Sequence, residues 1–414
     1  MMDNGFGIGS ESMTVGADFG KIPDEGGINR RNFCSTMAAL AAVGPTRMID
    51  HELSLTEDVS KSSTISSSIT KSFHQIFFEA AQDMGRVKDS SVDLVVTSPP
   101  YPMIEMWDGI FAMQNHEIAE AMGRNPDSAF ELMHRELDKI WIECFRALKN
   151  GGIMCVNIGD ATRTVNKGFR LYNNHSRVVS ACLNAGFVNL PNIIWRKQTN
   201  APNKFMGSGM LPCGAYVTLE HEWILIFRKG GKRSYKSERE KNLRRCSAFF
   251  WEERNKWFSD IWDVKGTRQT IVNSQTRDRN ASFPLEIPFR LVNMYSQFGD
   301  VVLDPFMGMG TTMVASMLTG RNSLGFEIDR ALKPSICNYV ESIDAKAMDR
   351  LVSDRIERHH SFVKERISSG KNIKYKNLKL DCLVMTSQET DMELVRPKEI
   401  KRIDGDDFSY GCSY

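Results

Sequence analysis

From Phe73 onward the chain alternates short β-branched runs with stretches in which apolar residues recur at helical spacing. Val92-Asp93-Leu94-Val95-Val96 predicts a strand, stopped by Ser98-Pro99-Pro100. Phe130, Met133, Leu137, Ile140, Trp141, Cys144, Phe145 and Leu148 fall on one helical face, and Gly151-Gly152 is expected to end that helix. Strands are expected over 153–158, 188–195 and 223–227, with a helix over 178–185 closed by Gly186. Then come a helix over 287–298, the strand Val301-Val302-Leu303, a glycine-rich turn, a helix over 311–318 and a strand over 323–326. Such alternation predicts an α/β fold, a doubly wound and mostly parallel sheet with helices on both faces.

The ends and one internal stretch break this pattern. Residues 1–29 hold seven glycines, and Ser54 to Ser72 holds eleven Ser or Thr, so 1–72 reads as a flexible, low-complexity arm. The rest divides into a first half over 73–227, an insertion over 228–280, a second half over 281–342 and a charged helical or irregular extension over 343–414. Arg30-Arg31-Asn32-Phe33 precedes the apolar run 37–43, a faint echo of an export signal. The run is short and far from Met1, so a surface helix ended by Gly44-Pro45 is the better reading.

Composition narrows the class. A chain of 414 residues buries a full core without disulfide or metal staples. No run approaches the ~18 consecutive apolar residues of a membrane span. Nine scattered cysteines form no C-x-x-C pair, which speaks against a disulfide framework or zinc knuckle and for a reducing cytoplasm. Net charge is only +2, yet 228–268 carries thirteen Lys/Arg against six Asp/Glu, with seven aromatics among them. Cations attract phosphates and aromatics stack on bases, so Lys232, Arg233, Lys236, Arg244, Arg245, Arg254 and Lys256 are candidate nucleic-acid contacts. The Trp262 region serves equally well as the packing core of a small domain.

Two constellations carry chemistry. Asp304-Pro305-Phe306-Met307-Gly308-Met309-Gly310-Thr311-Thr312 follows a strand and opens a helix. Its glycines let a ligand approach the backbone, and the free N–H groups at the helix start favour an anionic group. No Lys follows, so it is not a phosphate-gripping loop. Glu327 ends the next strand, where an acid can hold ribose hydroxyls. A zwitterionic nucleoside such as S-adenosylmethionine fits: amides for its carboxylate, Asp304 for its ammonium, Glu327 for its ribose. The second constellation is Thr97-Ser98-Pro99-Pro100-Tyr101, a rigid turn offering a hydroxyl, carbonyl oxygens and an aromatic face, which suits a planar base with an exocyclic amino group. His221-Glu222 and His359-His360 lack metal-site spacing and are read as surface or strand residues, so no metal is expected.

Together these residues resemble the amino-methylating DNA methyltransferases of restriction–modification systems. Ser98-Pro99-Pro100-Tyr101 matches their target-base box, and Asp304-Pro305-Phe306-x-Gly308-x-Gly310-Thr311-Thr312 their cofactor box. Phe283-Pro284-Leu285 and Leu148-Lys149-Asn150-Gly151-Gly152 match flanking segments. The order, target box first and cofactor box last with a basic insertion between, is that of the beta class. Ser in first place resembles the N4-cytosine enzymes, whereas the adenine-N6 enzymes more often carry Asp. The resemblance covers roughly 73–342 and implies a permuted Rossmann-like methyltransferase fold. It also implies S-adenosylmethionine as methyl donor, and a monomer acting on a base flipped from double-stranded DNA, with a restriction endonuclease as functional counterpart but not in a stable complex. It further implies that Tyr101 stacks on the base while Ser98 and the Pro99 carbonyl accept hydrogen bonds from its amino group. A departure is Phe77-Phe78-Glu79-Ala80-Ala81, where the family often shows Gly-Asp, which leaves Glu79 and Asp83 as candidate contacts to the cofactor adenine. Cys213 is followed by Gly214 rather than Gln, so it is read as structural and not as the nucleophile of a C5 enzyme. The rivals are an adenine-N6 enzyme of the same class and a DNA-binding regulator without catalysis.

Overall fold

A computed structural model of the protein describes residues 69–165, 168–197, 206–207, 209–265, 283–403 and 408–414. Residues 1–68 of the expected arm, the Arg30-Arg31 pair included, lie outside the described residues, as do 266–280 of the insertion.

The strands of the first half are β1 (Lys71–Phe77), β2 (Val92–Thr97), β3 (Leu148–Ile158), β4 (Ala161–Val165), β5 (Gly168–Tyr172), β6 (Phe187–Arg196), β7 (Met206–Gly207), β8 (Ala215–Tyr216) and β9 (His221–Lys229). Those of the second are β10 (Ile261–Asp263), β11 (Val301–Asp304), β12 (Asn322–Phe326), β13 (Tyr375–Asn377), β14 (Cys382–Val384), β15 (Glu399–Ile403) and β16 (Phe408–Ser413). Helices are α1 (Asp108–Gln114), α2 (His116–Arg124), α3 (Pro126–Ala147), α4 (Asn174–Asn184) and α5 (Glu238–Cys246), then α6 (Trp251–Trp257), α7 (Glu286–Tyr295), α8 (Thr311–Leu318), α9 (Lys333–Glu341) and α10 (Ala345–Ser368).

Ten strands form one sheet in the order β10-β6-β9-β3-β2-β11-β12-β1-β16-β15. Its centre, β3-β2-β11-β12-β1, is parallel throughout. Every residue of β2 is buried, as a strand covered on both faces must be. Helix α3 starts where Asn125 accepts from the Asp127 and Ser128 N–H groups, with Pro126 in the first turn. It lays Met133, Leu137, Ile140, Trp141 and Cys144 on one face of the sheet. Helices α7 to α10 cover the other face through Leu291, Val314, Ile336 and Met348.

The predicted layout holds, with three corrections. Gly151-Gly152 does not end a helix but lies inside β3. There Gly151 takes φ +86°, and the pairing with β2 slips between Val92 and Leu94. Strand β1 opens at Lys71, two residues before Phe73, so the last two residues of the expected arm belong to the sheet. The extension is no appendage: β16 pairs antiparallel with β1, β15 pairs with β16, and Phe408 and Tyr410 enter the main core.

Candidate active site

Strands β2 and β11 are parallel neighbours, so Ser98 and Asp304 emerge from the same end of the sheet although 206 residues apart. They are also directly joined. The Thr97 hydroxyl donates to Asp304 Oδ1 at 2.6 Å, and the Thr312 hydroxyl donates to the Val96 carbonyl at 3.2 Å. Carboxyl ends of adjacent strands are where ligands bind in doubly wound folds.

The cofactor loop is built from backbone. Gly308 has φ +53°, and a Cβ placed on it would find no atom within 4 Å, so that side of the loop stands open. Gly310 has φ +84° and is the N-cap of α8, a position where glycine brings no side chain of its own over the helix start. Phe306 is half-buried with its ring 6.0 Å from that of Trp141. The Gly308 and Asp329 N–H groups donate to the two oxygens of Glu327 at 2.8 Å each, and Glu327 N–H donates to the Phe77 carbonyl. Burial raises the Glu327 pKa. Asp304 is buried, and burial lifts its pKa to about 6 against the hydrogen bonds from the Thr97 hydroxyl and the Phe306 N–H. Among the described residues neither acid is ion-paired to Lys or Arg. A buried and a half-buried carboxylate, neither paired with Lys or Arg among the described residues, beside an open glycine turn, suit a ligand that carries both positive charge and hydroxyls. The residues present therefore fit the nucleoside expected from the sequence. Glu79 follows the Phe77–Glu327 contact by two residues, whereas Asp83 is exposed and accepts from Gly85 in a turn.

The target box is held by side chains. Tyr101 is 8% exposed, and its hydroxyl donates to Glu222 Oε2 at 2.9 Å. Ser98 Oγ lies 3.1 Å from that hydroxyl. Asn157 Nδ2 donates to both the Tyr101 hydroxyl (2.8 Å) and Glu222 Oε2 (2.7 Å), while Lys197 pairs with Glu222 Oε1. A Cβ on Gly159 would come 2.9 Å from the Tyr101 ring, so glycine there makes room for it. Burial, and then the adjacent Glu222 charge, push the Tyr101 pKa well up. Neither Glu222 nor Asn157 was foreseen. The His221-Glu222 dipeptide prompted only a metal test, and nothing local marks a carboxylate whose partner lies 121 residues away.

The insertion is placed differently from the boxes. Arg233 makes a bidentate pair with Asp300 at 2.5 and 2.9 Å and reaches Asp93 at 3.4 Å. Asp93 and Asp300 flank the amino ends of β2 and β11, opposite the two boxes. Lys232 and Lys236 lie exposed beside Arg233, Arg244 stacks over Tyr235, and Arg245 pairs with Asp391. Arg254 and Lys256 are exposed on α6. Trp257 and Trp262 belong to the main core, with Trp262 Nε1 donating to the Trp257 carbonyl. His359 is not a surface residue: it is buried, stacks on Phe250 at 3.8 Å and bonds Glu252. Burial works against its charge, but the bonds to Cys382 and Glu252 win and hold its pKa near 10. Cys213 is exposed in a turn at φ +65°, not packed. Among the described residues no three His, Cys, Asp or Glu side chains assemble as a metal site requires, and no helix is long and apolar enough to cross a membrane.

The family model for DNA methylase matches residues 92–337, which contain both boxes. The chain belongs to the DNA methylase family. It is 48% identical over 343 residues to the type II methyltransferase M.MthZI of Methanothermobacter thermautotrophicus, covering 82% of this chain and 95% of that protein. It is 50% identical over 275 residues to M.MjaI of Methanocaldococcus jannaschii, covering 64% and 89%. Among solved structures, the Thermus thermophilus protein TTHA0409, a candidate DNA modification methylase complexed with S-adenosyl-L-methionine, matches with TM-score 0.50 and 30% identity. That match covers 65% of this methylase and 96% of TTHA0409.

Proposed function

We propose that this DNA methylase transfers a methyl group from S-adenosylmethionine to the exocyclic N4 of a cytosine flipped out of double-stranded DNA. On this reading it marks specific sites in the cytoplasm as the modifying counterpart of a restriction endonuclease. The observation that carries the reading is the Thr97–Asp304 hydrogen bond, which sets an amino-accepting turn beside an open, acid-lined glycine loop.

Bound there, S-adenosylmethionine supplies an electrophilic methyl. The protein's own part is binding and aim. The N–H groups at the start of α8 would hold its carboxylate, Asp304 its ammonium and Glu327 its ribose hydroxyls, each Glu327 oxygen keeping a lone pair beyond its backbone bond. A stacked cytosine cannot bring its amino nitrogen to a protein-bound donor, so the base must leave the duplex. Tyr101 would receive the extruded ring, and Ser98 Oγ with the Pro99 carbonyl would accept from the amino group, turning its lone pair toward the methyl. Positioning of this kind supplies much of the acceleration in a direct displacement. Ser98 in place of an acid favours cytosine over adenine, and the type II methyltransferase names of M.MthZI and M.MjaI support the modification role.

The reading is tested by incubating the protein with methyl-labelled S-adenosylmethionine and unmethylated genomic DNA, then digesting to nucleosides. Label in N4-methylcytosine is the expected result. Label in N6-methyladenine would overturn the assignment of the base, and absence of label from DNA would overturn the reading as a whole.

A further inference from the structure

The hydrogen bonds around Tyr101 run in one direction. The Tyr101 O–H is committed to Glu222 Oε2 at 2.9 Å, so the phenolic oxygen keeps only acceptor capacity. Asn157 Nδ2, at 2.8 Å, uses part of that capacity. Ser98 Oγ stands 3.1 Å from the same oxygen and can relate to it only as donor, since the phenolic proton is spent. With its proton turned to Tyr101, Ser98 presents lone pairs alone to whatever enters the turn. The chain starts from a carboxylate fixed on both sides. Glu222 is 7% exposed, its Oε1 is paired with Lys197, and its Oε2 also accepts from Asn157 Nδ2 at 2.7 Å. Lys197 is steadied by its place over the Trp195 ring, 4.8 Å from the centroid. The register aligns these groups, for Trp195 on β6 sits opposite Glu222 on β9.

We propose that Glu222 is a positioning residue for the methyl transfer: acting through the Tyr101 hydroxyl, it makes Ser98 an obligate hydrogen-bond acceptor for the amino group of the target base. This deepens the reading above and rests on it only in requiring an amino group as the acceptor of the methyl. A carboxylate in first place of the box would accept from the amino group directly. Here the hydroxyl does so, and the negative charge stands two hydrogen bonds away, shared across β2, β3 and β9. The same contact fixes the tilt of the Tyr101 ring against Gly159, so one acid sets both the face that meets the base and the atom that meets its amino group. Asn157 ties the three groups together.

The test is a double-mutant cycle on the full chain with Glu222→Gln, which keeps the volume but removes the charge, and Tyr101→Phe, which keeps the ring but cuts the chain. Methylation is followed on DNA carrying the sites the wild type labels. Each single change is expected to lower kcat about 10- to 100-fold, as loss of a hydrogen bond to a charged group does, with the cofactor KM unchanged. The double variant should be no slower than the slower single one, because both remove the same chain. Multiplying losses, an unchanged kcat in Glu222→Gln, or a loss confined to KM would overturn the proposal. Thermal midpoints and cofactor affinity are read alongside. Should Glu222→Gln fail to fold, Tyr101→Phe alone decides, since it leaves the packed ring in place and a normal kcat in it would dismiss the chain. The labelled nucleoside tests the choice of cytosine separately, because the kinetic ratios read Glu222 whichever base carries the methyl.

Discussion

Strand β11 ends on one buried aspartate, Asp304, and follows directly on another, Asp300; burial raises the pKa of both, but their partners differ. At the amino end, Asp300 meets Arg233 in a two-bonded ion pair, and its neighbour Asp93 on β2 meets Lys149 at 2.8 Å. At the carboxyl end, Asp304 has only hydroxyl and N–H donors among the described residues, and burial lifts its pKa to about 6. A buried carboxylate that the fold itself neutralises is part of the structure. One left without a cation costs stability and is kept for a cation that arrives from outside. By this criterion we propose the amino end of the sheet as scaffold and the carboxyl end, where the two boxes lie, as site.

The largest expected effect of breaking this arrangement lies in the target box. Tyr101→Ala removes the proposed stacking face and should cut kcat by about 100-fold or more while leaving cofactor affinity intact; single-turnover assays beside cofactor titration separate the two. Asp304→Asn should act in the opposite sense on two observables. Cofactor affinity should fall about tenfold or more for loss of a charge-assisted contact. The folded-state pKa of Asp304 lies above its unfolded value, so the ionised form penalises folding above about pH 6 and the penalty fades as pH falls toward the unfolded value. The variant should therefore gain on the order of 1–3 kcal/mol at neutral pH, seen as a higher midpoint in denaturant. In the wild type, cofactor affinity should weaken as pH drops through about 6, and this limb should be missing in Asp304→Asn.

The same substitution at the scaffold end sharpens the contrast. Asp300→Asn removes the charge that Arg233 answers and should cost about 1–3 kcal/mol of stability with cofactor affinity unchanged. A smaller effect is expected from Gly310→Ala. At φ +84° a side chain is strained, and its Cβ would stand 3.0 Å from Met307 Cε, so about 1–2 kcal/mol should be lost, with weaker cofactor binding as the loop shifts.

How far each feature was legible in the sequence follows from how local its cause is. Both boxes could be read, because Pro99-Pro100 and Gly308-x-Gly310 dictate backbone geometry wherever they fall after a strand. The parallel core was readable for the same reason. Glu222 and Asn157 were not, since their meaning lies in a contact between β2, β3 and β9 that no spacing encodes. Arg233 shows what composition leaves out: a cation in a basic stretch reads as a phosphate contact, and only the fold shows that Asp300 and Asp93 pair with it. The extension did carry a signal. Phe408, Tyr410 and Cys412 alternate as a half-buried strand does, and Met348, Leu351, Val352, Arg355 and His359 line one face of α10. Both patterns are short or mixed with charge, and the buried His359 gains its place only from Glu252 and Phe250 on a distant element.

That Asp304, paired with no Lys or Arg among the described residues, belongs to the cofactor and Asp300, paired with Arg233, to the scaffold is tested most directly by calorimetric titration of S-adenosylmethionine into the wild type, Asp304→Asn and Asp300→Asn at neutral pH. Affinity about tenfold or more weaker is expected for Asp304→Asn, and wild-type affinity for Asp300→Asn. Equal affinity in all three, or an equal loss in both variants, would contradict it.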